Sequence, residues 1–272
     1  MTAAAATDSA ELLDLARQAA AAGAEVAVAW QRHREELEVE EKAGSDDLVS
    51  QADRDTEREV RRVLARARPE DAVLGEEDGE VVGGSGIRWL VDPIDGTTNY
   101  LYGRPDWAVS VAAVRIEDSR TLAAAVAEPP LGRLTEARLG GGAWSAGRRL
   151  RCRAATELQR ALVEVNLGRP EQRHHAAELM RALVPRVRDV RRGGSAAAAL
   201  AQVADGRADA YWGPGLQPWD GAAGALLVAE AGGVVGDLGG PTDGDWPASG
   251  NILAAQAVLW EPLREILSRI YG

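Results

Sequence analysis

The segment WLVDPIDGTTNYLYG, residues 89–103, places two aspartates three positions apart and follows them at once with Gly-Thr-Thr. Apolar residues precede the pair, so Asp92 and Asp95 are expected where a strand ends. Pro93 cannot donate to a sheet ladder, and Gly96 permits a turn. Two crowded carboxylates repel each other unless a cation holds them or one of them stays protonated. A turn that caps the next helix is the alternative interpretation.

Three further segments place acidic residues beside predicted strand ends or helix starts. They are SDDLVSQADRDTE with Asp46, Asp47 and Asp53, VLGEEDG with Glu76 and Glu77, and QPWDGAAGALLVAEAGG with Asp220. Each has a structural alternative, because Asp53 and Asp220 can cap helices and the other acids can be solvated. Carboxylates are the hard oxygen ligands that Mg²⁺ prefers, so the four segments together indicate a metal site.

The composition narrows the possible chemistry and partners. The net charge of −11, without a basic stripe, argues against a nucleic-acid or membrane partner. Cys152 is the only cysteine, which excludes an intrachain disulfide and favours a cytoplasmic location. Neither a signal peptide nor a spanning helix is predicted. With only three histidines, two of them (His174 and His175) expected on the surface, acid–base chemistry falls to carboxylates, hydroxyls or a metal-bound water.

Periodicity predicts an α/β protein of two lobes, divided near residue 150. Residues 1–150 are predicted to form an α+β lobe, and residues 151–272 an α/β lobe. The first lobe has a helix after Ser9, a helix at 53–67, strands at 72–74 and 88–91, and a hairpin of WAVSVAAVRI and TLAAAVAEP. The second has strands at 161–165, 187–190, 208–212 and 251–254, and helices at 171–184, 195–204, 219–231 and 256–270. GEVVGGSG and DLGGPTDGDWPASG are predicted to be loops.

In its acidic segments the chain resembles the inositol monophosphatase family of Mg²⁺-dependent, lithium-sensitive phosphomonoesterases. The matching motifs are GEE (75–77), DPIDGTTN (92–99), WDGAAGALLVAEAGG (219–233) and the looser DLVSQAD (47–53). Their order and spacing fit the family over nearly the whole chain. The resemblance implies a layered αβαβα sugar-phosphatase-like architecture, a homodimer, and hydrolysis of a small phosphomonoester by metal-activated water.

The resemblance also implies roles for individual residues. One Mg²⁺ would take Glu76, Asp92 and the carbonyl of Ile94, and a second would take Asp92, Asp95 and Asp220, in a site of two or three ions per subunit. Thr97 and Glu76 would orient the water, with Asp53 hydrogen-bonded to Thr97. Substrate contacts would come from Asp95, Gly96, Thr97, Gly194, Ser195 and Gly213. The resemblance thus implies that the first lobe holds most metal ligands, and the second Asp220 and substrate contacts. Lys42, the only lysine, would lie near a mobile loop and a third metal position.

The substrate is less well defined than the reaction. The resemblance favours inositol 1-phosphate or a related polyol or sugar phosphate as the substrate. Histidinol phosphate, fructose 1,6-bisphosphate and 3′-phosphoadenosine phosphates are the alternatives. Gly213 stands where the family has an inositol-contacting glutamate, which predicts room beside Trp212 and either a broader specificity or a preference for a bulkier phosphomonoester. The alternative is that Gly213 serves only a turn conformation. Ser195, in GGSAA, is predicted to be a helix N-cap whose neighbouring amides face the substrate, because Ala197 rules out a nucleophile elbow. A regulatory family member with little turnover is the other hypothesis.

Overall fold

The structure is a computed structural model that describes residues 9–33, 37, 39–41, 48–154, 157–168, 173–243 and 245–272. Lys42, Asp46 and Asp47 lie outside these residues. In the described part of the chain, no helix is both long and apolar enough to cross a membrane.

The N-terminal half forms a helix pair on one face of a large sheet. The helices are α1 (Ser9–Gln31) and α2 (Gln51–Ala67), with a two-stranded ribbon of β1 (Val39–Glu41) and β2 (Leu48–Ser50) between them. The strands of the large sheet are β3 (Ala72–Gly75), β4 (Gly79–Val81), β5 (Ile87–Asp95), β6 (Ala108–Arg115), β7 (Arg120–Glu128), β8 (Arg133–Arg138), β9 (Gly142–Ser145) and β10 (Arg148–Arg149), and α3 (Thr97–Leu101) follows β5. Their order is β10-β9-β8-β7-β6-β5-β3-β4, and β6 and β7 form the predicted hairpin.

The C-terminal half forms a second, mixed sheet with helices on both faces. Its elements are β11 (Leu162–Val165), α4 (Arg173–Leu183), β12 (Asp189–Arg191), α5 (Ala196–Asp205), β13 (Ala210–Gly213), α6 (Pro218–Glu230), β14 (Val234–Asp237), β15 (Gly240–Pro241), β16 (Ile252–Ala255) and α7 (Ala257–Tyr271). The strand order is β12-β11-β13-β16-β14-β15. β11 runs parallel to β12 and β13, and β16 runs antiparallel to β13 and β14.

The helices and sheets stack in five layers: α1 and α2, the large sheet, α5 and α6, the second sheet, and α4 and α7. The strands are apolar on both sides because each of these two sheets is covered by helices on both faces. In β5, Trp89 and Val91 pack under α1 and α2, whereas Leu90 points into a core shared with α5 and α6. A third core joins the far face of the second sheet to α4 and α7. The predicted αβαβα architecture is confirmed. The division near residue 150 stays a prediction, since the central core draws on both halves of the chain.

Several element boundaries differ from the prediction. β5 does not stop before the aspartates but continues through Asp95, with an irregularity in its pairing between Asp92 and Asp95. The segments predicted as loops contain β4, β15 and the end of β14. These strands are two to four residues long, too short for a clear alternation of apolar and polar residues, and they form through pairing with β3, with β16 and with each other.

Candidate active site

A cavity of about 100 Å³ lies where β3, β5 and α3 meet the starts of α5 and α6. Its walls are Glu76, Asp92, Ile94, Asp95, Gly96, Thr97 and Asp220, together with Asn166, Ala196 and Leu216. The structure therefore brings together all five predicted metal ligands, although they come from three separate stretches of the chain.

A bulge in β5 accounts for the position of the two neighbouring aspartates. Asp92 pairs with Ser110 and Asp95 pairs with Ala108, so β5 contains one more residue than β6 between these two pairs. An extra residue in one strand re-aims the side chains beside it, and Pro93 fits there because it has no N–H to donate. Both Asp92 and Asp95 thus line one cavity although they lie three positions apart.

Glycines let the backbone pass closely at two predicted substrate contacts. Gly96 has φ = 97°, and a Cβ there would lie 3.0 Å from the carbonyl oxygen of Asp106. Gly194 has φ = 101°, and a Cβ there would lie 2.7 Å from Nδ2 of Asn99. That amide donates to the carbonyls of Asp106 (2.6 Å) and Gly193 (2.7 Å), so Asn99 ties α3 to the segment before α5.

Asp53 and Asp220 each cap a helix, as the structural interpretation of the sequence expected, and the ligand role of Asp220 stays a prediction. Asp53 Oδ2 accepts the backbone N–H of Ser50 at 2.9 Å and caps α2, while its Oδ1 faces Thr97. Asp220 Oδ2 accepts the N–H of Gln217 at 2.8 Å and caps α6, while its side chain lines the cavity. A capping bond thus fixes each carboxylate and leaves its other oxygen for the site.

Asp95 joins the two halves of the molecule. Its Oδ2 accepts the hydroxyl of Ser195 at 2.7 Å and the N–H of Ala197 at 2.5 Å. Ser195 is the N-cap of α5, as predicted, and accepts the N–H of Ala198. The expectation that the following amides face a substrate is wrong for Ala197, because its N–H is used by Asp95. A substrate contact of Ser195 or Gly194 stays a prediction.

The Thr97 hydroxyl has one proton and two acceptors within reach. Its Oγ1 lies 3.4 Å from Asp53 Oδ1 and 3.2 Å from the carbonyl oxygen of Ile94. A hydroxyl can donate only once, so a cation on the Ile94 carbonyl would direct the proton to Asp53. The lone pairs of Thr97 would then remain available to the cavity.

Burial raises the pKa values of three cavity carboxyls, those of Asp92, Asp95 and Asp220. Burial, followed by the charges of Glu76 and Asp95, holds the pKa of Asp92 far above its ordinary value. Burial raises the pKa of Asp95 to about 6 even though Ser195 and Ala197 donate to it. Burial and then the charge of Asp95 raise the pKa of Asp220 to about 8. Such a cluster is stabilised either by protons or by cations.

The carboxyl oxygens suit a hard cation that is also bound by water and substrate phosphate. The charge of Asp220 contributes to the raised pKa of Asp92, and a bound cation would offset this repulsion. Within the described residues, no three His, Cys, Asp or Glu side chains enclose an ion by themselves. Mg²⁺ suits this arrangement, since it is commonly held by one or two carboxylates plus water and substrate phosphate rather than by an all-protein cage.

Other features of the site escaped the sequence analysis. Asn166 and Leu216 form part of the wall, but neither lies in a recognisable motif. The predicted room at Gly213 is absent, because a Cβ there would overlap the hydroxyl of Tyr211 and lie 2.8 Å from Cδ1 of Leu216. The alternation of side chains along β13 places Tyr211 on the same face as Gly213, and that was the available signal.

The comparison with known proteins agrees with this geometry. The model of the inositol monophosphatase family matches residues 8–270. The chain belongs to the inositol monophosphatase family. It is 42% identical over 230 residues to the inositol-1-monophosphatase of Rhizobium meliloti (strain 1021), covering 83% of this chain and 85% of that protein. Family membership and such relatives indicate a phosphomonoesterase.

Two further relatives show the range of names within the inositol monophosphatase family. The crystal structure of the extragenic suppressor protein suhB from Bartonella henselae superposes with a TM-score of 0.90 at 35% identity, over 95% of this chain and 99% of that chain. The Nus factor SuhB of Vibrio cholerae is 36% identical over 215 residues, covering 78% of this chain and 79% of that protein.

Proposed function

We propose that this chain is a Mg²⁺-dependent phosphatase that hydrolyses a small polyol or sugar phosphate, with inositol 1-phosphate as the first candidate. The observation that carries the proposal is the convergence of Glu76, Asp92, Asp95 and Asp220 on one small cavity beside Thr97. Two or three Mg²⁺ ions per subunit would be held by these carboxylates and the Ile94 carbonyl.

The residues of the chain have distinct tasks in the proposed reaction. Bound Mg²⁺ supplies positive charge for the phosphoryl oxygens and acidifies water. Thr97, donating to Asp53, uses its free lone pairs to accept a hydrogen bond from the attacking water. The Glu76 carboxylate accepts a second hydrogen bond from that water and fixes its direction of attack. Orienting a reactant in this way lowers the barrier, because the translational and rotational entropy is lost before the reaction.

The uncharged residues Asn166 and Leu216, here called the neutral wall, would influence which substrate is bound. A cavity of about 100 Å³ accommodates the phosphoryl group and its cations, so the alcohol portion lies at the mouth, against Asn166 and Leu216. Asn166 offers an amide to a hydroxyl, and Leu216 offers an apolar surface. One amide discriminates less sharply than several placed acceptors, so other small phosphomonoesters are included in the proposed range.

A phosphate-release assay tests the proposal. Inositol 1-phosphate, histidinol phosphate, fructose 1,6-bisphosphate and a 3′-phosphoadenosine phosphate are compared at equal concentration with Mg²⁺, and again with excess EDTA. We expect turnover of at least one polyol or sugar phosphate that disappears with EDTA and returns with Mg²⁺. Full activity in excess chelator would contradict the metal assignment.

A regulatory role is the second candidate, and the relative named a Nus factor is the observation that favours it. The same assay separates the two candidates. No phosphate release from any of the four substrates, with Mg²⁺ present and bound, would favour the regulatory role.

The assembly and location belong to the same proposal. We propose a cytoplasmic homodimer, as the family resemblance implies. Light scattering coupled to size-exclusion chromatography measures the assembly directly. A mass near 28.8 kDa, that of one chain, would contradict the dimer.

A further inference from the structure

Glu57 is a carboxylate that the proposed reaction leaves without a task. It lies on α2 and is fully buried, with a relative exposure of 0%. A buried carboxylate is costly unless donors surround it. Glu57 has three, and two of them are backbone N–H groups of the turn that follows Glu76.

The contacts of Glu57 join α2 to the turn between β3 and β4. Its Oε2 accepts the N–H of Glu77 at 2.8 Å, and its Oε1 accepts the N–H of Asp78 at 3.0 Å. Arg61 completes the arrangement, since its Nε lies 2.7 Å from Oε1 and its terminal nitrogen reaches the carbonyl of Gly79 at 2.5 Å. The turn that carries Glu76 is thus held on its far side by a single carboxylate.

Gly75 makes this close approach possible. A Cβ on Gly75 would overlap the carboxyl group of Glu57. Gly75 pairs with Val91 of β5, and the N–H of Glu76 donates to the Val91 carbonyl at 3.2 Å. The backbone of Glu76 is therefore fixed to β5 on one side and, through its neighbours, to Glu57 on the other.

Glu57 and Asp53 lie four positions apart, which places them on one face of α2, a single turn from each other. Asp53 contacts Thr97, and Glu57 holds the turn after Glu76. One rigid helix therefore locates both residues that the proposed function assigns to the attacking water.

We propose that Glu57 is a positioning residue that sets the Glu76 carboxylate for Mg²⁺ and water. The inference rests on the proposed function. Groups outside the immediate ligands fix the orientation of those ligands, and their loss typically weakens metal affinity or activity by about 10- to 100-fold.

Glu57→Gln tests this role because it keeps the size of the side chain but replaces one acceptor oxygen with a donor. We expect about tenfold weaker Mg²⁺ binding by titration calorimetry without substrate, and a similar loss of kcat on the best substrate of the panel. KM at saturating Mg²⁺ should stay unchanged. Amide exchange at Glu77 and Asp78 should become faster.

Glu230→Gln is the matched control. Glu230 also accepts two backbone N–H groups of a turn, from Gly140 and Gly142 at 2.6 Å each, and it does not line the cavity. This variant should lower the Tm and leave Mg²⁺ affinity and kcat unchanged. Gly75→Ala disturbs the same contact from β3, because its Cβ would overlap the Glu57 carboxyl group. It should reproduce the losses of Mg²⁺ affinity and kcat expected for Glu57→Gln.

Wild-type Mg²⁺ affinity and kcat in Glu57→Gln or Gly75→Ala would overturn the inference. Failure of both variants to fold would do so too, by assigning Glu57 to stability. A wild-type protein that neither binds Mg²⁺ nor releases phosphate would instead contradict the proposed function, while amide exchange at Glu77 would still report whether Glu57 holds the turn.

Discussion

The two walls of the cavity are built in different ways. On the acidic wall, hydroxyl and backbone donors hold two of the aspartates: Asp95 accepts from Ser195 and Ala197 at the start of α5, and Asp220 accepts the N–H of Gln217. On the neutral wall, formed by Asn166 and Leu216, Asn166 Oδ1 accepts the nearby N–H of Gly168 at 3.2 Å, and the backbone N–H of Leu216 donates to the carbonyl of Gly250. The rigid wall suits a fixed reaction, and the neutral wall suits the choice of alcohol.

The walls also differ in charge, and this difference predicts opposite responses to substitution. Carboxyls whose pKa values are raised by burial and repulsion oppose folding when they are ionised without a cation. No such penalty exists on the side of Asn166 and Leu216. Substitutions on the acidic wall should therefore change catalysis and stability in opposite directions, whereas those on the neutral wall should mainly change substrate preference.

The largest effect is expected for Asp220→Asn. An amide oxygen can keep the capping bond from Gln217, but the charge that holds a cation is lost. We expect kcat/KM to fall about 10²- to 10³-fold, the size seen when one preorganised electrostatic group is removed. Without Mg²⁺ and above about pH 8, where Asp220 is ionised, the Tm should rise, because one of several repelling buried charges is gone.

Asp209→Asn is the control for that substitution. Asp209 is also buried and accepts a backbone N–H, from Leu162 at 2.8 Å, but it lies outside the cavity. Its replacement should leave kcat/KM nearly unchanged. Near-normal turnover of Asp220→Asn at limiting Mg²⁺ would contradict the ligand assignment.

Thr97→Ala should give the next largest loss. The hydroxyl contacts Asp53 and holds no cation in the proposed site, so its removal leaves the water poorly oriented. We expect kcat to fall about 10²-fold, as for a misplaced reactant, with Mg²⁺ affinity by calorimetry unchanged. Thr97→Ser keeps the hydroxyl and should retain most activity. Equal losses in both variants would argue against the role of the hydroxyl.

Sequence patterns predicted the acidic wall well because its residues lie in short motifs beside strand ends and helix starts. The DPIDG segment, for example, carries two aspartates, a proline and a turn glycine in five positions. The neutral wall was not predicted, since Asn166 and Leu216 come together only through the pairing of β11 with β13. Glu57 was also missed, because its contacts with the turn after β3 form only in the folded chain. In the sequence it resembles any charged helix residue that pairs with an arginine four positions later.

Substrate preference should respond to Asn166→Ala more than turnover does. The Asn166 amide lines the cavity and would offer one hydrogen bond to a substrate hydroxyl, worth about 0.5–1.5 kcal/mol. We expect kcat/KM to fall a few-fold to about tenfold for polyol phosphates and to stay constant for a phosphomonoester without neighbouring hydroxyls. Steady-state kinetics on one substrate of each kind decides the point. A uniform loss would place Asn166 outside the alcohol contact.

The smallest change in preference is expected for Gly213→Glu. The family's glutamate at this position would need space that Tyr211 and Leu216 fill in this chain. Overpacking costs about 1–3 kcal/mol, so we expect a lower Tm and a uniform few-fold loss on every substrate, without a shift toward inositol 1-phosphate. Gly213→Ala adds only the overlapping Cβ and should also lower the Tm. Adding Tyr211→Phe to Gly213→Ala removes the overlapping hydroxyl and should restore part of that loss in Tm. Gly84→Ala is the control, because a Cβ there meets no atom within 4 Å, and it should leave the Tm within about 1 °C. The measurements are the Tm and kcat/KM for inositol 1-phosphate and two unrelated phosphomonoesters. A rise in the relative kcat/KM for inositol 1-phosphate in Gly213→Glu would show that Tyr211 gives way, and that residue 213 contributes to substrate preference beside the neutral wall.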